Sequence, residues 1–292
     1  MSKKVFYVLF GIILSSLFVF CSSEDDSPIV NQQPLEAEIL LNVSYGSHAQ
    51  QKYDLYLPAD RKSNKTKVIV LVHGGGWTEG DKLDMDGYIT LIQDNHPDHA
   101  IVNINYVLAT LTSPAFPNQF LDLQSVINKL TTEKESLQID PEFGLIGISA
   151  GAHISLMYDY VYDTTDSVKF VCDIVGPSDF TDPFYTNNPN FPILLSLLVD
   201  ESAYPSNTNF AEATSPVYQV SSSSSPTLMF YGNQDPLVPL TNGQNLDIAL
   251  DAEGITNDLT VYNGGHGNWD TASLLDVQLQ LSTFIETHLP IQ

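Results

Sequence analysis

A serine lies at the centre of a five-residue motif that can support nucleophilic chemistry. Ser149 belongs to Gly-Ile-Ser-Ala-Gly, residues 147–151. The apolar stretch Phe143–Ile148 is typical of a strand, and Ala152–Tyr162 is typical of a helix. A serine in a tight strand-to-helix turn projects its hydroxyl out of the sheet, and the N–H of Ala150 at the helix N-terminus can donate to an oxyanion. The pattern predicts a nucleophilic serine; an ordinary strand-to-helix turn is the alternative.

A glycine-rich loop offers further backbone donors. The sequence His-Gly-Gly-Gly-Trp, residues 73–77, directly follows Lys67–Val72, whose branched apolar residues are typical of a strand buried on both faces. Acyl transfer needs more than one N–H to hold the oxyanion, and glycines let the backbone approach a substrate closely. Gly75 and Gly76 are the candidate donors. A phosphate-binding loop is disfavoured because no Gly-Lys-Ser/Thr follows, which leaves a tight turn with an incidental histidine as the alternative.

An acid and a base follow the serine in the chain. Asp235 and His266 each come shortly after a strand-like stretch. Because the carboxyl ends of parallel strands lie at one edge of a sheet, both side chains are expected to meet Ser149 there. A histidine that takes the serine proton and a carboxylate that orients the histidine complete the set that acyl transfer needs. Asp179, which follows another strand-like stretch, is the rival for the acid.

The remaining histidines are interpreted as structural. His153 lies four residues after Ser149 on the same helix, which directs it into the helix packing. His73 is expected to brace the glycine loop rather than to act as the base. The sequence contains no His-Glu-x-x-His or His-x-x-Glu-His pair, so no metal and no other cofactor is expected.

The elements that position these residues alternate between strand and helix. Apolar residues recur at helical spacing around residues 117–137 and again near the C-terminus. They are Phe120, Leu123, Ile127 and Leu130 in the first stretch and Leu274, Val277, Leu281 and Phe284 in the second. The alternation predicts an α/β protein with a mostly parallel sheet and helices on both faces, beside an antiparallel edge formed by Ile39–Ser44 and Lys52–Leu57. Residues 180–222 contain five prolines and the apolar stretch Ile193–Val199, and they are interpreted as a cap insertion.

The composition excludes several functions. The 292 residues include 35 acidic and 11 basic ones, for a net charge of −24. Nucleic-acid binding needs a basic face that this chain cannot supply. Arg61 is the only arginine, so an arginine clamp on phosphate or carboxylate is nearly excluded. The 43% of hydrophobic residues is enough for a sizeable core, and the acidic surface favours neutral substrates.

The first residues predict export. Two lysines precede an uncharged run from Val5 to Phe20, which is short for a membrane span, and Cys21 follows at once. This order resembles a bacterial lipoprotein signal, in which the cysteine is lipidated. Phe20 departs from the small residue that such signals favour before the cysteine. A signal anchor or a plain secretory signal is the alternative.

These features divide the chain into three parts. Residues 1–20 are the expected signal peptide, residues 21–36 a flexible tether, and residues 37–292 the catalytic domain with its cap insertion. We therefore expect an exported bacterial lipoprotein attached to a membrane, at the outer membrane or cell surface, through a lipid on Cys21. The oligomeric state stays open.

Together the motifs resemble the α/β-hydrolase fold, and within it the hormone-sensitive-lipase-like esterases and the bacterial feruloyl and acetyl esterase-like (BD-FAE-like) group. The resemblance extends over about residues 37–292. It includes, in the family's order, Tyr53–Pro58, residues 73–77, Asn105-Tyr106, Phe116-Pro117, the serine motif, and the segments around residues 235 and 266. Val107 and Ala152 stand where an arginine and a glycine are frequent in these families, and neither departure removes a catalytic group.

The resemblance implies a role for each candidate residue. Ser149 matches the nucleophile, His266 the base, and Asp235 the acid that orients it. The residues that match the oxyanion-hole donors are Gly75, Gly76 and Ala150. The implied function is a serine carboxylic-ester hydrolase that forms an acyl-enzyme on small neutral short-chain or carbohydrate-linked esters. A lipase, a serine peptidase and a non-catalytic binding protein on the same scaffold are the alternatives.

Overall fold

The structure, a computed structural model, describes residues 35–291. Its centre is an eight-stranded sheet. The strands are β1 (Glu38–Ser44), β2 (Lys52–Leu57), β3 (Val68–Val72), β4 (Ala100–Asn105), β5 (Phe143–Ile148), β6 (Val168–Ile174), β7 (Thr227–Gly232) and β8 (Asn257–Tyr262). They lie in the order β1-β2-β4-β3-β5-β6-β7-β8. Strands β3 to β8 are parallel to one another, and β1 and β2 form the antiparallel edge.

Helices cover both faces of this sheet. They are α1 (Asp86–Asn95), α2 (Asn118–Thr132), α3 (Lys134–Leu137), α4 (Ala150–Met157), α5 (Pro183–Thr186), α6 (Phe191–Leu198), α7 (Phe210–Ala213), α8 (Leu240–Glu253) and α9 (Thr271–His288). Helices α1 and α9 contribute to the core on one face, and α2, α4 and α8 to the core on the other. The predicted mostly parallel sheet with helices on both faces is confirmed.

Strand β3 shows why the sheet is buried on both sides. All five of its residues are buried. Val68, Val70 and Val72 pack into one core, whereas Ile69 and Leu71 pack into the other. Side chains alternate along a strand, so an unbroken apolar run serves two layers of helices at once. This burial fixes the central strands that position the loops at their carboxyl ends.

The long helical pattern around residues 117–137 forms two helices. Helix α2 ends at Thr132, and the four-residue α3 follows after Glu133. The predicted apolar face of α2 is buried. The amphipathic spacing therefore located the helix and its inner face correctly, while the break at its C-terminal end is a local feature of the turn at Glu133.

The segment between β6 and β7, residues 175–226, contains α5, α6 and α7. Backbone hydrogen bonds join it to the loop before α2: Phe116 N–H donates to the carbonyl of Leu198 over 2.8 Å, and Asp200 N–H donates to the carbonyl of Phe116 over 2.7 Å. These bonds fix the C-terminal end of α6 beside the glycine-rich loop.

The predictions about the N-terminus concern residues that the structure does not describe. The expected signal peptide and Cys21 lie outside residues 35–291, as does most of the tether. Within residues 35–291, no helix has the length and apolar character that crossing a membrane requires.

Candidate active site

Three side chains from separate loops meet at the carboxyl edge of the sheet. Ser149 follows β5, Asp235 follows β7, and His266 follows β8. The Nε2 atom of His266 lies 2.9 Å from Ser149 Oγ, and its Nδ1 atom lies 2.7 Å from Asp235 Oδ2. With a proton on Nδ1, the imidazole donates to Asp235 and accepts from the serine hydroxyl. The structure thus brings together the three residues that the sequence singled out for nucleophile, base and acid.

Asp235 is held as a carboxylate. Its Oδ1 atom accepts from the backbone N–H groups of Leu237 and Val238, at 2.8 and 3.0 Å. Burial alone would raise the pKa of Asp235, but the hydrogen bonds from His266 and from these two N–H groups outweigh burial and lower it. An ionised carboxylate fixes the His266 tautomer in which Nε2 is free to accept the serine proton.

The rival acid does not contact the histidine. Asp179 Oδ1 accepts from the N–H and hydroxyl of Thr181, and its Oδ2 accepts from Asn245 over 2.8 Å. These contacts hold the start of the segment between β6 and β7. In this structure the hydrogen bond to His266 comes from Asp235.

The backbone at Ser149 has the conformation of a strained turn. Its φ is 53° and its ψ is −118°, which a residue with a side chain adopts only when its surroundings enforce it. The surroundings are tight: a Cβ on Gly151 would lie 2.1 Å from the carbonyl oxygen of Val72, and one on Gly147 would lie 2.4 Å from Ala152 Cα. Gly147 therefore lets β5 approach α4, and Gly151 lets α4 approach the end of β3.

The glycine-rich loop lies against the serine. A Cβ on Gly74 would lie 3.3 Å from Ser149 Cβ. Gly76 has a φ of 55°, has open space where a Cβ would be, and lines the cavity beside Ser149. Gly75 packs against the backbone of Glu79. Ala150 is the first residue of α4, where N–H groups have no partner within the helix. Of the three predicted donors, Ala150 directly follows Ser149 and Gly76 lines the cavity beside it.

His73 is buried beneath this loop. Its ring stacks on that of Tyr106 with centroids 4.3 Å apart, and Tyr106 donates a hydrogen bond to the His73 carbonyl. Its Nδ1 lies 2.6 Å from the carbonyl oxygen of Gly74. Burial lowers the pKa of His73. These contacts brace the glycine-rich loop and place the ring away from Ser149 Oγ, which bonds His266.

A second buried histidine links three parts of the site. Trp77 Nε1 donates to His153 Nδ1 over 3.2 Å, and His153 Nε2 donates to the carbonyl of Thr214 over 2.7 Å. Accepting from Trp77 requires an unprotonated Nδ1, so the two bonds together require a neutral imidazole. Burial lowers the pKa of His153 to about 4, although the bond to Thr214 opposes the shift. His153 therefore joins α4, the glycine-rich loop and the segment between β6 and β7.

A cavity of about 640 Å³ opens beside Ser149 and His266. Its walls come from the glycine-rich loop, the residues around Leu111, α6, and the turn at Leu237. Most lining side chains are apolar. The apolar stretch Ile193–Val199 of the predicted cap insertion lies largely in α6, which forms one wall of this cavity.

A family comparison agrees with this geometry. The model of the BD-FAE family matches residues 53–250, which is more than half of the chain. The chain belongs to the BD-FAE family. The matched range includes Ser149 and Asp235, and His266 lies beyond its end. The predicted resemblance to this group is confirmed.

Curated relatives of this BD-FAE member are more distant and longer. An isoprenylcysteine alpha-carbonyl methylesterase of Arabidopsis thaliana is 24% identical over 78% of this chain and 56% of its own length. The arylacetamide deacetylase of Bos taurus is 27% identical over 50% of this chain and 39% of its own length. The chain thus spans about half the length of these relatives, or less.

Solved structures share the fold. A truncated carbohydrate esterase from gut microbiota superposes with a TM-score of 0.68 at 21% identity, over 85% of this chain and 97% of that one. An esterase of Thermogutta terrifontis with propionate bound gives a TM-score of 0.70 at 18% identity, over 88% and 96% of the two chains. The predicted α/β-hydrolase fold is confirmed.

Two groups near the site were not found from the sequence. Tyr185 lines the cavity, and its hydroxyl is buried with no hydrogen-bond partner among the described residues. Asp173, which the sequence shows only as a charged interruption in an apolar strand, is fully buried. The positions of both depend on contacts with distant parts of the chain, so no local pattern signals them.

Proposed function

We propose that this protein hydrolyses neutral carboxylic esters through an acyl-enzyme formed on Ser149. The observation that carries the proposal is the chain of two hydrogen bonds, 2.9 Å from Ser149 Oγ to His266 Nε2 and 2.7 Å from His266 Nδ1 to Asp235. Such a chain activates a hydroxyl that is a weak nucleophile by itself. Family membership supports the same reaction, since relatives of this chain carry the names methylesterase, deacetylase and esterase.

The reaction proceeds in two halves. His266 Nε2 takes the Ser149 proton as Oγ attacks the ester carbonyl carbon, and the carbonyl oxygen becomes an oxyanion. The C–O bond to the alcohol then breaks, and the alcohol leaves with the proton from His266. Water attacks the acyl-enzyme in the same way, giving its proton to His266, and the acid departs as Ser149 regains a proton.

Backbone N–H groups stabilise the oxyanion. Gly76 lines the cavity, and Gly75 and Ala150 adjoin it in the two loops that flank Ser149. Donors fixed before the reaction need no reorganisation, and one such donor contributes about 10²–10³ in rate.

The charge of the chain favours uncharged substrates. A net charge of −24 repels anions from the surface. Lys82, the basic residue nearest in sequence to the glycine-rich loop, is already paired with Asp54 over 2.7 Å, and both are buried. An anionic ester thus finds no free cation on this loop, which supports neutral esters as the substrate class.

An active-site probe tests the proposal. A fluorophosphonate should label the wild type on one serine, and Ser149→Ala should abolish both the labelling and p-nitrophenyl acetate turnover. The Ser155→Ala variant is the matched control, because this hydroxyl also lies on the α4 segment but donates to the Gly151 carbonyl. Full turnover by Ser149→Ala would refute the acyl-enzyme mechanism.

A further inference from the structure

We propose that the cavity beside Ser149 binds an apolar chain of medium length, so that esters with such a chain are the preferred substrates. This proposal rests on the proposed function and narrows its substrate class. The sequence left open whether the substrates are short-chain or carbohydrate-linked esters or esters with a longer chain. The proposal favours the longer chain. The occupant is identified by the chemistry of the cavity walls.

Helix α6 supplies much of the apolar wall. Five of its residues line the cavity: Phe191, Leu194, Leu195, Leu197 and Leu198. Leu195 is buried, whereas Leu194 and Leu197 are about half exposed. A surface-exposed leucine that also lines a cavity lies at its mouth. Leu111, with 85% of its surface exposed, and Leu237 extend this apolar rim on other loops.

The cavity has few polar groups that could bind a sugar. Its lining within residues 35–291 includes no Asp, Glu, Asn, Gln, Lys or Arg. Outside Ser149 and His266, the polar side chains are those of Trp77, Thr78, Thr110 and Tyr185. The Trp77 N–H is already bonded to His153. Each sugar hydroxyl buried without a partner costs about 1–3 kcal/mol, so a carbohydrate ring is poorly accommodated.

The cavity is much larger than an acetyl group. Pockets of about 300–1,000 Å³ hold drug-sized ligands, and this cavity of about 640 Å³ lies in that range. An acetyl group leaves most of the space to water, which has few partners on apolar walls. Each methylene that displaces this water raises affinity about fourfold.

Simple esters provide the test. Rates for ethyl acetate, methyl octanoate and octyl acetate, all below their solubility limits, are measured by pH-stat. We expect kcat/KM to be about tenfold or more higher than for ethyl acetate with at least one of the two eight-carbon esters. The faster of the two identifies whether the acyl group or the alcohol occupies the cavity. Equal values for all three would overturn the chain proposal. The reaction itself would stand as long as Ser149→Ala abolishes ethyl acetate turnover.

A polar substitution at the mouth of the cavity sharpens the test. The ratio compared is kcat/KM for the faster eight-carbon ester divided by kcat/KM for ethyl acetate. Leu194→Gln should lower this ratio about threefold or more, because it replaces an apolar contact with the chain. Ile248→Gln on α8 is the matched control, since Ile248 is similarly exposed and lies outside the cavity. It should leave the ratio unchanged. A ratio that is insensitive to Leu194→Gln would overturn the assignment of α6 as the chain-binding wall.

An independent observation concerns the buried Asp173. We infer that Asp173 is an uncharged carboxylic acid in the folded protein and that it positions the turn beside Ser149. Its Oδ1 atom accepts from Gly176 N–H over 2.7 Å, and its Oδ2 atom lies 2.6 Å from the Tyr231 hydroxyl. The same hydroxyl lies 2.5 Å from the carbonyl oxygen of Gly176.

Counting protons assigns the charge state. The Tyr231 hydroxyl has one proton but touches two oxygens at hydrogen-bond distance. Each of these short contacts needs a proton between its two oxygens. Tyr231 supplies one proton and the Gly176 carbonyl has none, so the second proton belongs to the Asp173 carboxyl group. Burial raises the pKa of Asp173 to about 7, although the bonds from Tyr231 and Gly176 and the charge of His266 oppose this. Tyr160 and Cys172 are the other titratable groups beside it, and both have raised pKa values.

The braced turn adjoins the nucleophile. Ser149 N–H donates to the carbonyl of Ile174 over 2.8 Å, and Pro177 lines the cavity. A Cβ on Gly176 would lie 2.7 Å from Ala152 Cβ on α4. If Asp173 ionises, the Tyr231 hydroxyl donates its hydrogen bond to the carboxylate instead of to the Gly176 carbonyl. The Gly176 carbonyl oxygen then faces the Tyr231 oxygen with no proton between them, and their repulsion displaces this turn.

Asparagine reproduces the hydrogen bonds of the neutral acid. In Asp173→Asn the amide oxygen accepts from Gly176 and the NH2 group donates to Tyr231. We expect the ratio of variant to wild-type kcat/KM to rise between pH 6 and pH 9, and Asp173→Ala to be slower than Asp173→Asn throughout. The infrared carbonyl band of a protonated carboxylic acid should disappear in Asp173→Asn. A flat ratio, or no band assignable to Asp173, would overturn the inference.

Discussion

Replacing His153 with leucine should destabilise the protein strongly at neutral pH and much less in acid. The His153 ring is fully buried, and it accepts from Trp77 and donates to the Thr214 carbonyl. Leucine leaves both partners without a hydrogen bond. Each unsatisfied buried group costs about 1–3 kcal/mol, so we expect a loss of about 2–5 kcal/mol in the free energy of unfolding at pH 7.5.

At acidic pH the free energy of unfolding of the wild type should exceed that of His153→Leu by less. Burial lowers the pKa of His153 from 6.5 to about 4 in the folded protein. The unfolded chain therefore binds a proton near pH 6.5, whereas the folded protein does not until about pH 4. Stability from the neutral ring is present above pH 6.5 and falls by about 1.4 kcal/mol per unit below it. The deficit of His153→Leu should thus shrink by about 3 kcal/mol between pH 7.5 and pH 4.5.

Urea unfolding followed by circular dichroism measures the effect. Free energies of unfolding are compared for the wild type and His153→Leu at pH 7.5, 5.5 and 4.5. Other titrating groups are present in both proteins, so their contributions cancel in the difference. His48→Leu, at an exposed histidine, should show no such trend. A deficit of the same size at all three pH values would refute the claim that the fold holds His153 neutral.

Four further results are expected. Asp235→Asn should lower kcat for p-nitrophenyl acetate by about 10³–10⁴, because an amide does not fix the imidazole tautomer; steady-state kinetics would show it, and a loss below tenfold would contradict it. Gly151→Ala should prevent folding or lower the Tm sharply, since its Cβ would overlap the Val72 carbonyl, whereas Gly87→Ala on α1 meets open space and should raise stability slightly; differential scanning calorimetry compares the two. Burial raises the pKa of Asp159 to about 7, so its contribution to stability is greatest below pH 3.8 and is lost as the pH rises through about 7. The free energy of unfolding should therefore depend less on pH between these values in Asp159→Asn than in the wild type. The same pH dependence in both proteins would contradict this expectation. Cys21→Ala should abolish incorporation of labelled fatty acid in cells, and continued labelling would exclude Cys21 as the lipidated residue.

Candidate site residues could be placed from the sequence where they lie next to the end of a strand. Ser149, Asp235 and His266 each follow a strand, and parallel strands with right-handed crossovers bring those loops to one edge. Gly147 and Gly151, on either side of Ser149, lie where a Cβ would overlap the backbone of Ala152 and of Val72. Residue types and local order were sufficient for these predictions because the sheet itself determines the remaining geometry.

Other features depend on contacts that no local pattern reveals. Asp173 and Tyr231 lie on neighbouring strands but are far apart in the chain, so the sequence showed only a charge within an apolar run. Helical spacing placed Leu274 on the inner face of α9, but it is 43% exposed, and Ile285 is buried near the other end. An amphipathic pattern gives the mean direction of a helix face. The position where a helix leaves the sheet is set by its packing.

The attachment of the segment between β6 and β7 has a consequence for engineering. Strands β5, β7 and β8 carry the serine, acid and histidine, so residues 175–226 contribute to the cavity without supplying any of these three groups. The segment can therefore be exchanged as a module, provided that the donor keeps the turn at Gly176 and supplies a carbonyl opposite His153 and an extended stretch to pair with Phe116. These contacts attach the segment to the rest of the domain, and exchanging α6, whose side chains line the cavity, should change the preferred ester.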